Sequence, residues 1–250
     1  MKKTLIILLS VIMLCISTSC EFTKNEEVAN PVVIGEMAGH SQHYTVYIKE
    51  NEEYIPYVVV TGNYNHNTLL LREEPLDEKM QMNKSKRVNY YPQTELDNYL
   101  NNTFIDSFSD TMQDIMNNTR VEVTTNDALN INLKTRGTEF VTRKIFLLSA
   151  SEWGIRVKSA VKEGEKIENI GRFMAIDNEW LRTAEIWNYD TFWTVGNKRA
   201  VYDKGQSSMA VRPAFTVPFD TEVEQRDDVI EDEAVFVLKA DFKADNQPEG

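Results

Sequence analysis

The sequence predicts an α+β fold of mainly antiparallel strands, with two short helices and long irregular loops. Three observations carry that expectation. Residues 43–71 alternate apolar and polar side chains in three short runs joined by turn residues. Residues 94–116 change to a helical period, and the stretch after Glu179 returns to short strands separated by turns.

His43–Lys49 alternates around Tyr44, Val46 and Ile48, and Tyr54–Val60 is rich in Val and Tyr, with Asn51-Glu52-Glu53 as the turn between them. Thr61–Asn67 is a turn-rich connection to a third apolar run, Thr68–Leu71, so the three runs read as an antiparallel meander. After Pro92, Thr94-Glu95-Leu96-Asp97 has the spacing of a capping box, and Leu96, Tyr99, Leu100 and Phe104 fall on one helical face. A second short helix is expected to begin at Ser109, with Met112, Ile115 and Met116 facing inward. Residues 121–141 are polar and read as a strand followed by a loop. Lys144–Ser149 (KIFLLS) has the composition of the most buried strand, and it leads into a helix start or turn at Ser151–Gly154. Further on, Glu179–Thr183, Thr191–Val195, Ala200–Tyr202, Val211–Pro218 and Ala234–Lys239 are the candidate strands. The acidic run Thr221–Asp232 reads as solvated.

The first twenty residues form an expected export signal. Lys2 and Lys3 are its charged start, Leu5–Leu14 its apolar core, and Ser17-Thr18-Ser19 precede Cys20. A membrane span needs roughly 20 apolar residues, more than this run supplies. Small residues followed by Cys resemble the lipobox of bacterial lipoproteins, in which the Cys thiol is diacylated and becomes the new N-terminus. Ser17 stands where the usual Leu would be. The expectation is a cell-surface lipoprotein, held in the bilayer through acylated Cys20 and facing outward; the plainer reading is a secretory peptide cut near Ser19. Stable anchoring takes more than one acyl chain, which a diacylated Cys would satisfy. The expected organisation is signal peptide 1–20, flexible tether 21–41, one domain over 42–242 and a frayed tail 243–250.

The chain has 250 residues and a formal net charge of −12. Losing Lys2 and Lys3 with the leader would leave 25 positive against 39 negative residues, a net of −14. Phosphate neutralisation needs a basic face, so a nucleic-acid partner is not expected. Cys15 and Cys20 are the two cysteines, so the body of the chain has no thiol for a disulfide, a thiolate metal site or a cysteine nucleophile.

The ordered blocks YIPYVVVTG…LLLRE, LDNYLNNTFIDSFSD, RKIFLLSASEWG, WLRT and VRPAFTVP resemble the bacterial domain of unknown function 6273 over roughly Tyr54–Lys239. That family is often carried by secreted or lipid-anchored proteins. It usually has a second Trp before the WLR block, where this chain has Glu179, and more Gly before the final RPA. The spacing of WLR and RPA, each ending a loop-rich stretch, is similar in layout to C-type-lectin-like folds, which by analogy implies that architecture.

Six residues are the ligand-binding candidates: Trp180, Arg182, Trp187, Asp190, Trp193 and Arg212. Arg182 and Arg212 lie between apolar neighbours. A buried guanidinium has five donors to satisfy, so each is either a clamp on a carboxylate or sugar, or a structural arginine held by carbonyls and by acids such as Glu152 or Asp177. The three tryptophans, with Tyr189 and Phe192, supply either core volume or a surface for sugar C–H faces; Trp187, beside Asn188 and Asp190, is the one expected outside. Trp187-Asn188-Tyr189-Asp190 is similar to the calcium-binding WND signature of C-type lectins, but Tyr189 interrupts it. His40, His43 and His66 lack metal-ligand spacing, so neither a metal nor a cofactor is expected. No catalytic motif is present: Gly205-Gln206-Ser207-Ser208-Met209 lacks the closing Gly of a nucleophile elbow. The expected function is therefore non-catalytic binding of an extracellular glycan or protein. The alternatives are an assembly protein of a cell-envelope complex and, further off, a glycan hydrolase built on a carboxylate pair.

Overall fold

The computed structural model describes residues 31–39, 43–85, 88–126, 129, 137–173, 177–197, 199–230 and 233–241. The export signal with Cys20, residues 21–30, 40 and 41 of the expected tether, residues 42 and 242 at the bounds of the expected domain, and the tail 243–250 lie outside the described residues.

The strands, in chain order, are β1 (Thr45–Glu50), β2 (Glu53–Tyr64), β3 (Asn67–Arg72), β4 (Met80–Gln81), β5 (Thr119–Thr124), β6 (Thr138–Arg143), β7 (Ile145–Phe146), β8 (Glu179–Ala184), β9 (Thr191–Gly196), β10 (Arg199–Lys204), β11 (Ser208–Met209), β12 (Ala214–Val217), β13 (Val223–Ile230) and β14 (Glu233–Leu238). Two α-helices, α1 (Glu95–Asn102) and α2 (Asp110–Ile115), follow β4. The architecture is mostly antiparallel β with a few short helices. A seven-stranded sheet runs β13-β14-β1-β2-β3-β12-β7, a three-stranded sheet runs β10-β9-β8, and β11-β4 and β5-β6 form two-stranded ribbons. Among the described residues, β1 and β14 are the one parallel pair of the large sheet.

The meander β1-β2-β3 closes through two tight turns. Asn51 and Glu52 have φ of 48° and 70°, and Asn65 and His66 have 51° and 65°. Two central residues at positive φ make the mirror-image turn whose twist matches that of paired strands. Glu53 belongs to β2, so the first turn is one residue shorter than expected. The second also shrinks to two residues, from the seven expected over Thr61–Asn67, because β2 continues with irregular register through Thr61 to Tyr64.

Thr94 caps α1: its hydroxyl accepts from the Asp97 N–H at 3.1 Å. Asp97 does not close the box. Its carboxylate is drawn instead to Arg143, which reaches it at 2.8 Å. Burial pushes the Asp97 carboxyl up, against the pull of Arg143. Ser109 caps α2 through the Met112 N–H in the same way. Leu96, Leu100, Phe104, Met112 and Met116 then enter the core, where Phe108 meets Tyr57 of β2 and Phe215 of β12 at ring-centre distances of 6.5 and 5.8 Å.

Three expectations need correction. Residues 31–39 are not free tether. Ile34 is buried, its N–H bonds the Thr221 carbonyl at 2.8 Å, and Met37 joins the same core. Seating a Val/Ile/Leu-type side chain contributes about 1.5–3 kcal/mol against an ordering cost of roughly 1–2 kcal/mol per residue, and burial of Met37 and the Gly35 N–H bond to the Phe219 carbonyl at 2.9 Å add to it. The acidic run after Thr221 is the edge strand β13 rather than solvated coil; Glu224, Arg226, Asp227 and Asp228 are the kind of charges that guard an open sheet edge. Of Lys144–Ser149, only Ile145–Phe146 pairs in the sheet. The chain then leaves the ladder because side chains take over its amides: Tyr91 Oη accepts from Leu147 N–H at 3.2 Å, and Glu152 Oε2 accepts from Ser149 N–H at 2.8 Å.

Candidate functional site

β8 is buried along its whole length, and that decides two of the six candidates. Trp180 is inside, with its indole N–H on the Met80 carbonyl at 2.8 Å and its ring edge toward Phe192. Arg182 is fully buried. Its Nε donates to the Glu122 carbonyl at 2.9 Å, Nη1 to the Leu147 carbonyl at 2.8 Å, and Nη1 and Nη2 grip the two Glu152 oxygens at 2.7 Å each. Burial alone would weaken the guanidinium's charge, but Glu152, Tyr64 and Glu163 together outweigh it and raise the Arg182 pKa. Tyr64 Oη donates to Glu152 at 2.6 Å, and burial together with that carboxylate pushes the phenol well up. Glu163 lies beside this network, accepting from Thr124 N–H at 2.8 Å and from the hydroxyls of Thr124 and Thr183. Its burial raises its pKa. Arg182 therefore locks the irregular stretch after β7 onto β5 and β8, Trp180 ties β8 to β4 and β9, and both side chains are buried.

Asp190 is also corrected. It sits buried at φ 56°, and its carboxylate accepts from Asn83 Nδ2 at 3.0 Å while its carbonyl takes the Gly205 N–H at 2.7 Å. It shapes the turn into β9. Trp193 is 8 % exposed and meets the Tyr202 ring edge-on at 5.3 Å, so it supports a surface residue more than it forms a surface.

Trp187 is the candidate that the structure leaves open, at 55 % exposure. The loop carrying it is held from below. Glu185, itself buried, accepts from Trp187 N–H at 3.1 Å and from the Asn188 amide at 2.6 Å, and Asn89 donates to the Glu185 and Asn188 carbonyls at 3.2 Å each. Tyr189 of the same loop and Val201 and Tyr202 of the edge strand β10 are exposed as well. Three large rings therefore stand outside on one three-stranded sheet and its connecting loop. Sequence reading missed Tyr202 and Val201; the signal is available in RAVYDK, where two large apolar residues sit inside a charged strand.

Arg212 is buried at the wall of a cleft of about 550 Å³. Its Nη2 donates to Glu179 Oε1 at 2.8 Å and Nη1 to the Glu73 carbonyl at 3.3 Å, and its guanidinium lies 5.3 Å from the Trp153 ring centre. Asp177, expected as an arginine partner, pairs with Lys79 at 2.8 Å on the cleft's surface. Burial raises the Glu179 carboxyl, opposed by Arg212 and reinforced by Glu74. Glu73, Glu74 and Asp77 add acids to the lining, and Lys79 and Arg172 add cations. His43 and Phe173 form an edge-on ring pair at 5.2 Å in the same wall, a contact across 130 positions of chain that no local pattern announces. Arg212 Nε and Glu179 Oε2 are buried with no hydrogen-bond partner among the described residues.

Among the described residues no group of three or more His, Cys, Asp or Glu is arranged to hold a metal ion, and no helix is long and apolar enough to cross a membrane. Residues 65–219 match the family described as Domain of unknown function (DUF6273). No curated protein and no solved structure matches the chain.

Proposed function

The chain belongs to the domain of unknown function 6273 family, and from that premise we propose that it works by contact, as a lipid-anchored cell-surface protein whose C-type-lectin-like domain binds an extracellular glycan or protein. The family assigns no chemistry, so the reading rests on the surface. The observation that carries it is the exposed set of Trp187, Tyr189 and Tyr202 on the three-stranded sheet and its loop. Aromatic faces match sugar C–H surfaces and are enriched where proteins meet partners. The loop that presents Trp187 is already fixed by Glu185 and Asn89, so little ordering entropy opposes binding. The lectin-like architecture is supported by the long irregular stretch between β7 and β8 and by the strands from both ends of the chain meeting in one sheet.

The test is capture from panels of cell-wall, mucin and host glycans and from surface-protein extracts, using the full chain beside Trp187→Ala and Tyr202→Ala variants. Specific capture that both variants lose supports the reading. Capture equal to that of denatured protein, or reproducible bond cleavage by the native chain, overturns it. Mass spectrometry of the N-terminus checks the anchor: a diacylated Cys20 is expected, and an uncleaved Met1 in the cytosol removes the cell-surface setting.

A second reading, an assembly protein of a cell-envelope complex, is favoured by one observation. Among the described residues β10 has no strand on its outer edge, and Val201 and Tyr202 are exposed there, a ready template for another chain's strand. Co-purification of a fixed partner, with glycan panels blank, would select it.

A further inference from the structure

In the two larger sheets, one edge is left unguarded. Among the described residues, the large sheet ends on β13, which is charged and slips register between Arg226 and Ile230, and on β7, which is two residues long. In the three-stranded sheet, β8 is buried along its whole length. β10 is different. It pairs with β9 through six consecutive positions without a bulge, and Val201 and Tyr202 stand exposed at its centre. It has no proline, and its charges are confined to Arg199, Asp203 and Lys204, toward the two ends. Short length, bulges, proline and charge are the devices that keep an edge from recruiting another strand.

The direction of its backbone groups follows from one contact. The Val201 carbonyl accepts the Thr194 hydroxyl of β9 at 3.1 Å, so that carbonyl points into the sheet. Backbone groups alternate sides along an antiparallel strand, so Ala200 and Tyr202 turn their N–H and C=O outward. That makes two donors and two acceptors on the open edge.

A second copy of β10 matches them. Let two such strands run antiparallel about a two-fold axis at Val201. Ala200 of each then faces Tyr202 of the other as a hydrogen-bonded pair, and every outward group finds a partner. Val201 meets Val201 at the axis, in the closer spacing of a non-hydrogen-bonded pair. Arg199 faces Asp203 of the copy in the same close spacing, and the symmetry repeats that pair of opposite charges. Moving the axis to Tyr202 keeps the backbone pairing but sets Val201 against Asp203 and loses both charge pairs. An axis midway between the two residues opposes Arg199 to Lys204.

We infer that β10 is the interface of a homodimer, with Val201 on the two-fold axis and the two three-stranded sheets joined edge to edge. This goes beyond the contact reading and does not rest on it. It doubles the set of exposed rings on one assembly, from which a repeated ligand would gain avidity. Six strand residues per copy is small beside the roughly 20–30 a side of a standard interface, so association is set by concentration.

Sedimentation velocity of the full chain over a concentration series tests it. A reversible monomer–dimer equilibrium is expected, weakened by added salt. Arg199→Asp and Asp203→Arg each set like charges across the interface twice, and each should weaken the dimer about tenfold or more. An equal mixture of the two variants should dimerise again, because the mixed pair faces opposite charges at both positions. The double variant should recover the parent's affinity, which a general folding defect could not do. Asp203 also accepts from the Ser207 hydroxyl. If Asp203→Arg does not fold, Ala200→Pro carries the test: it removes an outward N–H, leaves the pairing with β9 intact, and should abolish the dimer with an unchanged circular dichroism spectrum. A chain that stays monomeric throughout, a dimer indifferent to Ala200→Pro, or a mixture of folded charge variants that fails to dimerise overturns the inference. A monomer that still captures a ligand through Trp187 overturns the dimer and leaves the contact reading standing. A monomer whose β10 takes up a different protein's strand overturns it in favour of the assembly reading.

Discussion

Glu152 receives the Arg182 guanidinium as a fork on a fork, two contacts of 2.7 Å, with both side chains sealed from water. The charges came from segments 30 positions apart in the chain. Breaking a buried pair by removing one partner strands the other charge, a loss of about 3–5 kcal/mol. Arg182→Ala and Glu152→Ala should each show that loss in urea unfolding. Arg182→Lys should also be destabilised, because one ammonium cannot span both oxygens and the Leu147 and Glu122 carbonyls. Losses under about 1 kcal/mol would mean that the clamp does not hold the loop.

Glu163 predicts the pH response. Burial raises its carboxyl above the ordinary 4.5, opposed by the Arg182 charge and by the Thr124 and Thr183 hydrogen bonds. Between 4.5 and the raised value the folded chain binds more protons than the unfolded one, so this group's contribution to stability is full below 4.5 and declines as pH rises through the folded value. Glu163→Gln keeps an acceptor for Thr124 and removes the titration. Its urea midpoint should therefore fall less than the parent's as pH rises from 4.5. Asp97 and Glu179 are shifted in the same direction and leave the variant some residual slope. Parallel curves for variant and parent would show that Glu163 does not titrate in that window.

Ile34 tests whether residues 31–39 belong to the folded body. With the side chain fully buried, Ile34→Ala should cost about 2–5 kcal/mol in chemical unfolding. A flexible tether residue would cost nothing measurable.

The legible part of the fold was whatever local chemistry alone decides. The β1-β2-β3 meander was announced by alternation and by turn residues, and both helix starts by Thr94 and Ser109. Structure set by partners far along the chain was not legible. β13 carries charge where strands carry apolar residues because it is an edge strand among the described residues, so its composition imitates coil. The apolar run Lys144–Ser149 looks like one long strand, but Tyr91 and Glu152 capture its amides from elsewhere. The candidate list divided by the same rule. Trp187 was singled out by its polar neighbours and is exposed. Arg182 admits two roles in sequence, and the packing against Glu152 chooses between them.

Gly205 is pinned by proximity. A Cβ built there would lie 2.4 Å from Asp190 Oδ1 and 3.1 Å from Asn83 Nδ2. Gly205→Ala should therefore push the Asp190 carboxylate off Asn83 and disturb the entry to β9, at about 1–3 kcal/mol of stability. Thermal unfolding checks it, and an unchanged midpoint would show that the turn can yield.

Lying next to β14, β1 has a timing consequence. A polypeptide delivered from its amino end has the β1-β2-β3 hairpins early, but one flank of β1 stays bare until residues 233–238 arrive to fill it. The large sheet is thus completed only when residues 233–238 have joined β1. A C-terminal truncation before Glu233 would leave that flank permanently unfilled, as a sticky ribbon for any passing strand.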